Sequence, residues 1–240
     1  MIPVRQTVKF DKKLLDKDAV KVVQTLIKAG YDAYLVGGCI RDLLLGYEPK
    51  DFDIATNATP EQIHKTFKRS RIIGRRFRLV HIMFSARKFI EVATFRAGKV
   101  KTSNSGVVVR DNFYGSIKDD VFRRDFTVNA LYYDLVKSQV IDYVGGLDDL
   151  KAAEIKMIGN PKERFEEDPV RMIRAVRFKV KLSALLEPEL SQNITSNAHI
   201  LANIPPARLY EEVIKLFLSL IHISEPTRLL SISYAVFCLK

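Results

Sequence analysis

Leu35-Val36-Gly37-Gly38-Cys39-Ile40-Arg41-Asp42, followed shortly by Asp51-Phe52-Asp53, is the stretch on which the fold turns. An apolar strand pattern runs into a double glycine and then into a helical turn that carries an arginine. Glycines let a phosphate approach backbone N–H groups, and a helix start favours an anion. Arg41 can add a charge-assisted hydrogen bond to a phosphate oxygen. On a second strand over 51–55 the side chains alternate, so Asp51 and Asp53 share one face. Paired carboxylates repel unless a cation sits between them. Hard oxygen ligands suit Mg²⁺, which takes few protein carboxylates plus substrate phosphates. Alone, D-x-D is more often a solvated strand edge and Gly-Gly only a turn. In this order they predict a phosphate cradle (Gly37, Gly38, Arg41) beside a metal site (Asp51, Asp53).

Two further constellations lie downstream. Arg123-Arg124-Asp125-Phe126-Thr127-Val128-Asn129-Ala130 sets a third carboxylate next to two guanidinium groups. Glu167-Asp168-Pro169-Val170-Arg171-Met172-Ile173-Arg174-Ala175-Val176-Arg177-Phe178 spaces Asp168, Arg171 and Arg174 at i, i+3 and i+6 of a helix, with Met172, Ala175 and Val176 on the buried side. The bland reading of the first is a surface ion-pair cluster, and of the second a solvated basic face on which Asp168 merely pairs with Arg171. The functional reading is a planar Asp168–Arg171 pair that hydrogen-bonds a base edge while neighbouring arginines hold phosphates.

Around these motifs the chain is ordinary in bulk. It has 240 residues, 47% hydrophobic and 28% charged, which excludes a disordered chain, a collagen or a coiled-coil rod. The net charge of +11 favours a polyanionic partner. The sequence holds no apolar run long enough to span a membrane and no secretory leader pattern. Its two cysteines make no disulfide framework, so a cytoplasmic location is expected. Residues 1–12 read as a loose lead-in, 18–29 as a helix, 34–36 as a strand, and 59 onward as a capped helix. Residues 79–84 and 89–95 read as a hairpin, 97–106 as a loop, and 161–180 as one helix. The division is mixed α/β over 1–150 and helical over 151–217, an α+β chain.

The four motifs together resemble the class II tRNA nucleotidyltransferase/poly(A) polymerase family over about residues 31–217. The resemblance implies a polymerase-β-type nucleotidyltransferase palm followed by an all-helical neck. It implies Asp51 and Asp53 as Mg²⁺ ligands and catalytic residues, with Asp125 as a third acidic position and Glu91 as its rival. It also implies Gly37, Gly38, Arg41 and Arg124 on the triphosphate, Asp168 and Arg171 on the incoming base, and Arg174 and Arg177 as further nucleotide contacts. ATP and RNA 3′ ends are the expected partners, with no membrane and no disulfide partner. The motifs are shared by two activities. The segments at 74–82, 111–117 and 204–212 resemble the polyadenylating branch. CCA addition to tRNA, or RNA and nucleotide binding without turnover, remain the alternatives. Residues 218–228 and 232–239 resemble the translation of a transposase-type sequencing adapter, so 218–240 is expected to be non-native and the neck truncated after Phe217.

Overall fold

A computed structural model describes residues 2–74, 78–97, 101–102, 108–110 and 114–221. The expectations that rest on 75–77, 98–100, 103–107, 111–113 and 222–240, including Cys238, lie outside the described residues. The chain divides into two compact units, 1–124 with 128–146, and 125–127 with the residues from Leu147 on.

The first unit is built on one mixed sheet. In chain order its elements are β1 (Val4–Thr7), α1 (Lys17–Lys28), β2 (Ala33–Val36), α2 (Gly38–Leu44), β3 (Asp53–Thr56), α3 (Pro60–Thr66), β4 (Ser70–Ile73), β5 (Leu79–Met83), β6 (Phe89–Thr94), β7 (Lys101–Thr102), β8 (Val108–Arg110), α4 (Ile117–Arg123), β9 (Tyr132–Asp134) and β10 (Gln139–Asp142). Eight of the strands run in the order β1-β10-β9-β2-β3-β6-β5-β4. All neighbours are antiparallel except β3 and β6, which are parallel. β7 and β8 pair separately, where a plain loop was expected.

Local chemistry explains the helices that carry this sheet. Asp16 caps α1 by accepting from the Asp18 and Ala19 amides. Ala19, Val22, Val23 and Leu26 of α1 are fully buried, and the helix packs on β2, β3 and β6. α3 has the expected capping box, with Thr59 and Gln62 satisfying each other's backbone N–H groups and Pro60 in the first turn. Ile54, Val80, Ile82, Ile90 and Val92 fill the strand face that alternates with the site face. β1 was read as loose lead-in. Its four residues are all exposed, so they carry no apolar alternation, and only the ladder to β10 makes them a strand.

The second unit contains α5 (Gly146–Lys151, entered at its first residue), β11 (Glu154–Ile155), α6 (Pro161–Glu167), α7 (Val170–Lys181), β12 (Leu185–Leu186), α8 (Pro188–Asn197) and α9 (Pro206–Ile221). The single helix expected over 161–180 is two helices, because Asp168 is extended and Pro169 cannot donate to the preceding turn. Val170 and Ile173 of α7 cluster with Ile204, and Leu216 of α9 packs on Val176 and Val180. α9 runs through Ile221. Asp125–Thr127 joins this unit through its backbone. The Ile158 amide donates to the Asp125 carbonyl at 2.9 Å, and the Thr127 amide to the Lys156 carbonyl at 3.1 Å.

Candidate active site

The register of the first unit's sheet assembles the acidic cleft. Asp53 at the start of β3 lies directly opposite Glu91 of β6, and Glu91 opposite His81 of β5. Paired residues on adjacent strands share a face, so these three form a row. Asp51 is not on the strand as expected, since β3 begins at Asp53. It reaches the same cleft from the lead-in, and Phe52 between them, 8% exposed, also lines it. The cleft has a volume of about 540 Å³, is walled by Asp51, Asp53 and Glu91, and carries Lys50, Arg87 and Lys88 on its rim. Lys88 is engaged by Asp16 at 2.7 Å and Asp18 at 2.6 Å.

Crowding shows in the acidity of Asp53. Burial, then the neighbouring Glu91, push its carboxyl up to about 6; Arg124 opposes this and Asp51 adds to it. Hard anionic oxygens held together in this way fit Mg²⁺. Among the described residues, no three His, Cys, Asp or Glu side chains converge to hold an ion by themselves. An ion that also binds substrate phosphates needs only one or two.

The glycine turn sits next to this row, because Val36 at the end of β2 pairs with Asp53. Gly37 has φ +81, a conformation that disfavours any side chain. A Cβ there would stand 3.4 Å from Arg124 Nη1. The Gly37 amide donates to the Leu131 carbonyl at 3.0 Å. Gly38 opens α2.

Arg41 departs from expectation. It is 2% exposed, not presented to solvent. Its Nε and Nη2 donate to Asp42 Oδ1 at 2.8 and 2.6 Å, and its Nη1 donates to Asn129 Oδ1 at 2.5 Å. A buried guanidinium must be paired, and these partners tie the Gly-Gly motif to the Arg-Arg-Asp motif. Arg124 is braced in a similar way. It donates to the Tyr132 hydroxyl at 2.9 Å and to Asp120 Oδ2 at 3.1 Å, and lies over the Tyr132 ring. Asp120 and Tyr132 stand in no quoted motif, and Asn129 stands in the Arg-Arg-Asp motif without an assigned role. For Asp120 a signal was present, since it stands at i−4 from Arg124.

The remaining expected residues belong to the second unit. Asp125 accepts from Arg174 Nε at 2.8 Å and lies 2.6 Å from Arg174 Nη2, and its other oxygen caps the Phe126 amide at 2.8 Å. The expected Asp168–Arg171 pair is not formed. Asp168 Oδ2 accepts from Arg208 Nη2 at 2.6 Å, whereas Arg171 Nη1 donates to Glu167 at 2.8 Å and to the Arg164 carbonyl at 2.7 Å. Asp168 lies just before α7, where the Arg171 amide donates to its carbonyl at 3.1 Å and the Val170 amide to its Oδ1 at 3.3 Å, while the two side chains go to separate partners. Arg177 lies over the Phe178 ring at 4.6 Å, with Nε 3.7 Å from the buried Glu212. Arg208 and Glu212 sat in a quoted segment, but nothing in their spacing assigns them to partners on α7 or at its entrance.

Comparison with known proteins gives the family. The profile described as "Poly A polymerase head domain" matches residues 33–156. The chain belongs to that family. A second profile, described as "Probable RNA and SrmB- binding site of polymerase A", matches residues 186–220. Poly(A) polymerase I of Escherichia coli O6:H1 is 52% identical over 216 residues, covering 86% of this chain and 46% of that protein. A CCA-adding enzyme of Bacillus pumilus is 37% identical over 198 residues, covering 82% of this chain and 49% of its own length. The crystal structure of Bacillus stearothermophilus CCA-adding enzyme in complex with CTP superposes with a TM-score of 0.72 at 38% identity, covering 83% of this chain and 48% of that one. The palm fold with a helical C-terminal part, expected from the four motifs, is therefore the fold of this family. The chain spans about half the length of the curated relatives it matches. Among the described residues, no helix is long and apolar enough to cross a membrane, and Cys39 is a buried free thiol.

Proposed function

We propose that this chain is the catalytic part of a template-independent poly(A) polymerase, which adds AMP from ATP to RNA 3′ ends and releases pyrophosphate. The observation that carries the reading is the carboxylate cleft of Asp51, Asp53 and Glu91 beside the Gly37-Gly38 turn. Identity of 52% to a poly(A) polymerase I, against 37% to a CCA-adding enzyme, supports the polyadenylating branch.

In the reaction, the RNA 3′ oxygen forms a bond to the α-phosphorus of ATP, and the bond from that phosphorus to pyrophosphate breaks. Asp51 and Asp53 would hold Mg²⁺, which when bound acidifies the 3′-hydroxyl and offsets charge on the departing pyrophosphate. Of the two candidates for third carboxylate, Glu91 fits better. It lines the cleft with Asp53, whereas Asp125 has its charge taken by Arg174. Asp125 then orients Arg174 and, through the Phe126 amide, the Arg-Arg-Asp segment. Gly37 and Gly38 leave room for phosphate oxygens near the backbone. Arg124 supplies positive charge beside the turn, and Arg41 keeps the turn in shape. Lys50 and Arg87 on the rim attract polyphosphate. Asp168 and Arg171 read the adenine edge, with Arg174 and Arg177 as supporting nucleotide contacts. In the conformation described, Asp168 is held by Arg208 and Arg171 by Glu167, so base reading requires these partners to be shared or exchanged.

Labelled RNA incubated with each of the four NTPs tests the assignment. ATP alone should give long adenosine runs on generic RNA. Addition that needs CTP and stops after C-C-A on tRNA ends would show the other branch, and binding without any extension would show a non-catalytic piece. Asp168→Ala should relax the preference for ATP more than it slows transfer, since a base edge read by polar groups loses discrimination when they go.

A further inference from the structure

His81 is placed where it can control the cleft, and no step above uses it. It stands on β5 directly opposite Glu91 of β6, which itself stands opposite Asp53. Its Nε2 lies 3.3 Å from Glu91 Oε2. Its ring lies flat on Phe89, with centroids 4.1 Å apart and planes 10° from parallel. The His81 side chain is 19% exposed, against 38% for Glu91. Glutamate reaches its carboxylate through a flexible stem, so a Glu in a partly open cleft has several orientations to choose from. A ring clamped by stacking offers a donor in one fixed place. An ionised carboxylate only accepts hydrogen bonds, so the nitrogen facing it carries the proton.

We infer that His81 is a positioning residue for this enzyme: it donates Nε2–H to Glu91, is itself aligned by Phe89, and so fixes the direction in which the Glu91 carboxylate faces the cleft shared with Asp51 and Asp53. The inference rests on the reading of Glu91 as the third carboxylate. Partners of this outer kind orient a metal-binding group, and their loss weakens metal affinity about 10–100-fold. Phe89 acts one step further out, by holding the ring.

The test measures Mn²⁺ binding by the full chain with a non-hydrolysable ATP analogue, following the free-ion electron paramagnetic resonance signal, beside the melting temperature without metal. His81→Phe and His81→Leu both remove the donor and keep an apolar neighbour for Phe89, so if one fails to fold the other still decides. Each should weaken Mn²⁺ binding about 10–100-fold at an unchanged melting temperature. His81→Gln, which offers an N–H at similar reach, should recover most of the loss. A wild-type Mn²⁺ affinity in the donor-free variants, with Glu91→Gln weakened, would overturn the role of His81 alone. A wild-type affinity in Glu91→Gln would instead overturn the reading of Glu91, and His81 with it.

Discussion

Asp53 shows how a residue proposed for the site can work against its own fold. Folded, it keeps its proton up to about pH 6, against an ordinary value of 3.8. Between those values the folded chain binds more protons than the unfolded one. Stability therefore falls as pH rises through the window, and the whole penalty stands above it. Asp53→Asn removes the penalty. Without metal, the variant should be more stable than wild type at pH 8, by at most about 1 kcal/mol because Asp53 keeps solvent contact. The gap should close below the lower value; urea titrations in chelator at the two pH values measure it. Arg41 is the opposite case. Its burial and its bonds to Asp42 and Asn129 make it structural. Arg41→Ala should cost about 3 kcal/mol, because it strands buried polar partners. Arg41→Lys should recover only part, since an ammonium cannot reproduce the guanidinium fork. Equilibrium unfolding reads both.

Elements differ in how plainly the sequence announces them. α1 and α3 were legible because apolar spacing and cap chemistry agree. Thr59→Ala should remove one half of the capping box and cost about 1 kcal/mol, measurable as a shift in the denaturation midpoint. β1 was not legible, since its strand character comes from a ladder to residues far along the chain, with no apolar alternation of its own. The break between α6 and α7 was written in Asp168-Pro169, but the apolar period running across it suggested one helix. The site divides along the same line. The motifs named candidate residues, while the pairing of those residues could not be read from them. Arg41 meets Asn129 88 positions away, Arg174 meets Asp125 49 away, and Arg208 meets Asp168 40 away. Each partner is set by the fold bringing distant segments together. Glu91 is the instructive case. The family resemblance named it as a rival to Asp125, but nothing in Ile90-Glu91-Val92 itself distinguishes it from an ordinary strand glutamate, and the parallel register with β3 is what puts it against Asp53.

At the scale of the whole molecule, the sequence carries a net charge of +11, while Asp51, Asp53 and Glu91 line the cleft of the first unit. On the proposed function, net positive charge would draw in RNA without reading it, and the cleft would decide the chemistry. RNA affinity should therefore fall steeply with salt, about tenfold or more between about 50 and 200 mM. Fluorescence anisotropy with a labelled oligonucleotide would show it, and a flat salt profile would remove the electrostatic part of the account. The central claim is that the Asp51–Asp53 cleft performs adenylyl transfer. Its most direct test is the rate of AMP transfer from ATP to RNA by wild type, Asp51→Asn and Asp53→Asn, each verified as folded. The account predicts a loss of at least about 10³-fold in both variants, a few kcal/mol of barrier. Transfer within tenfold of wild type in either variant would contradict it.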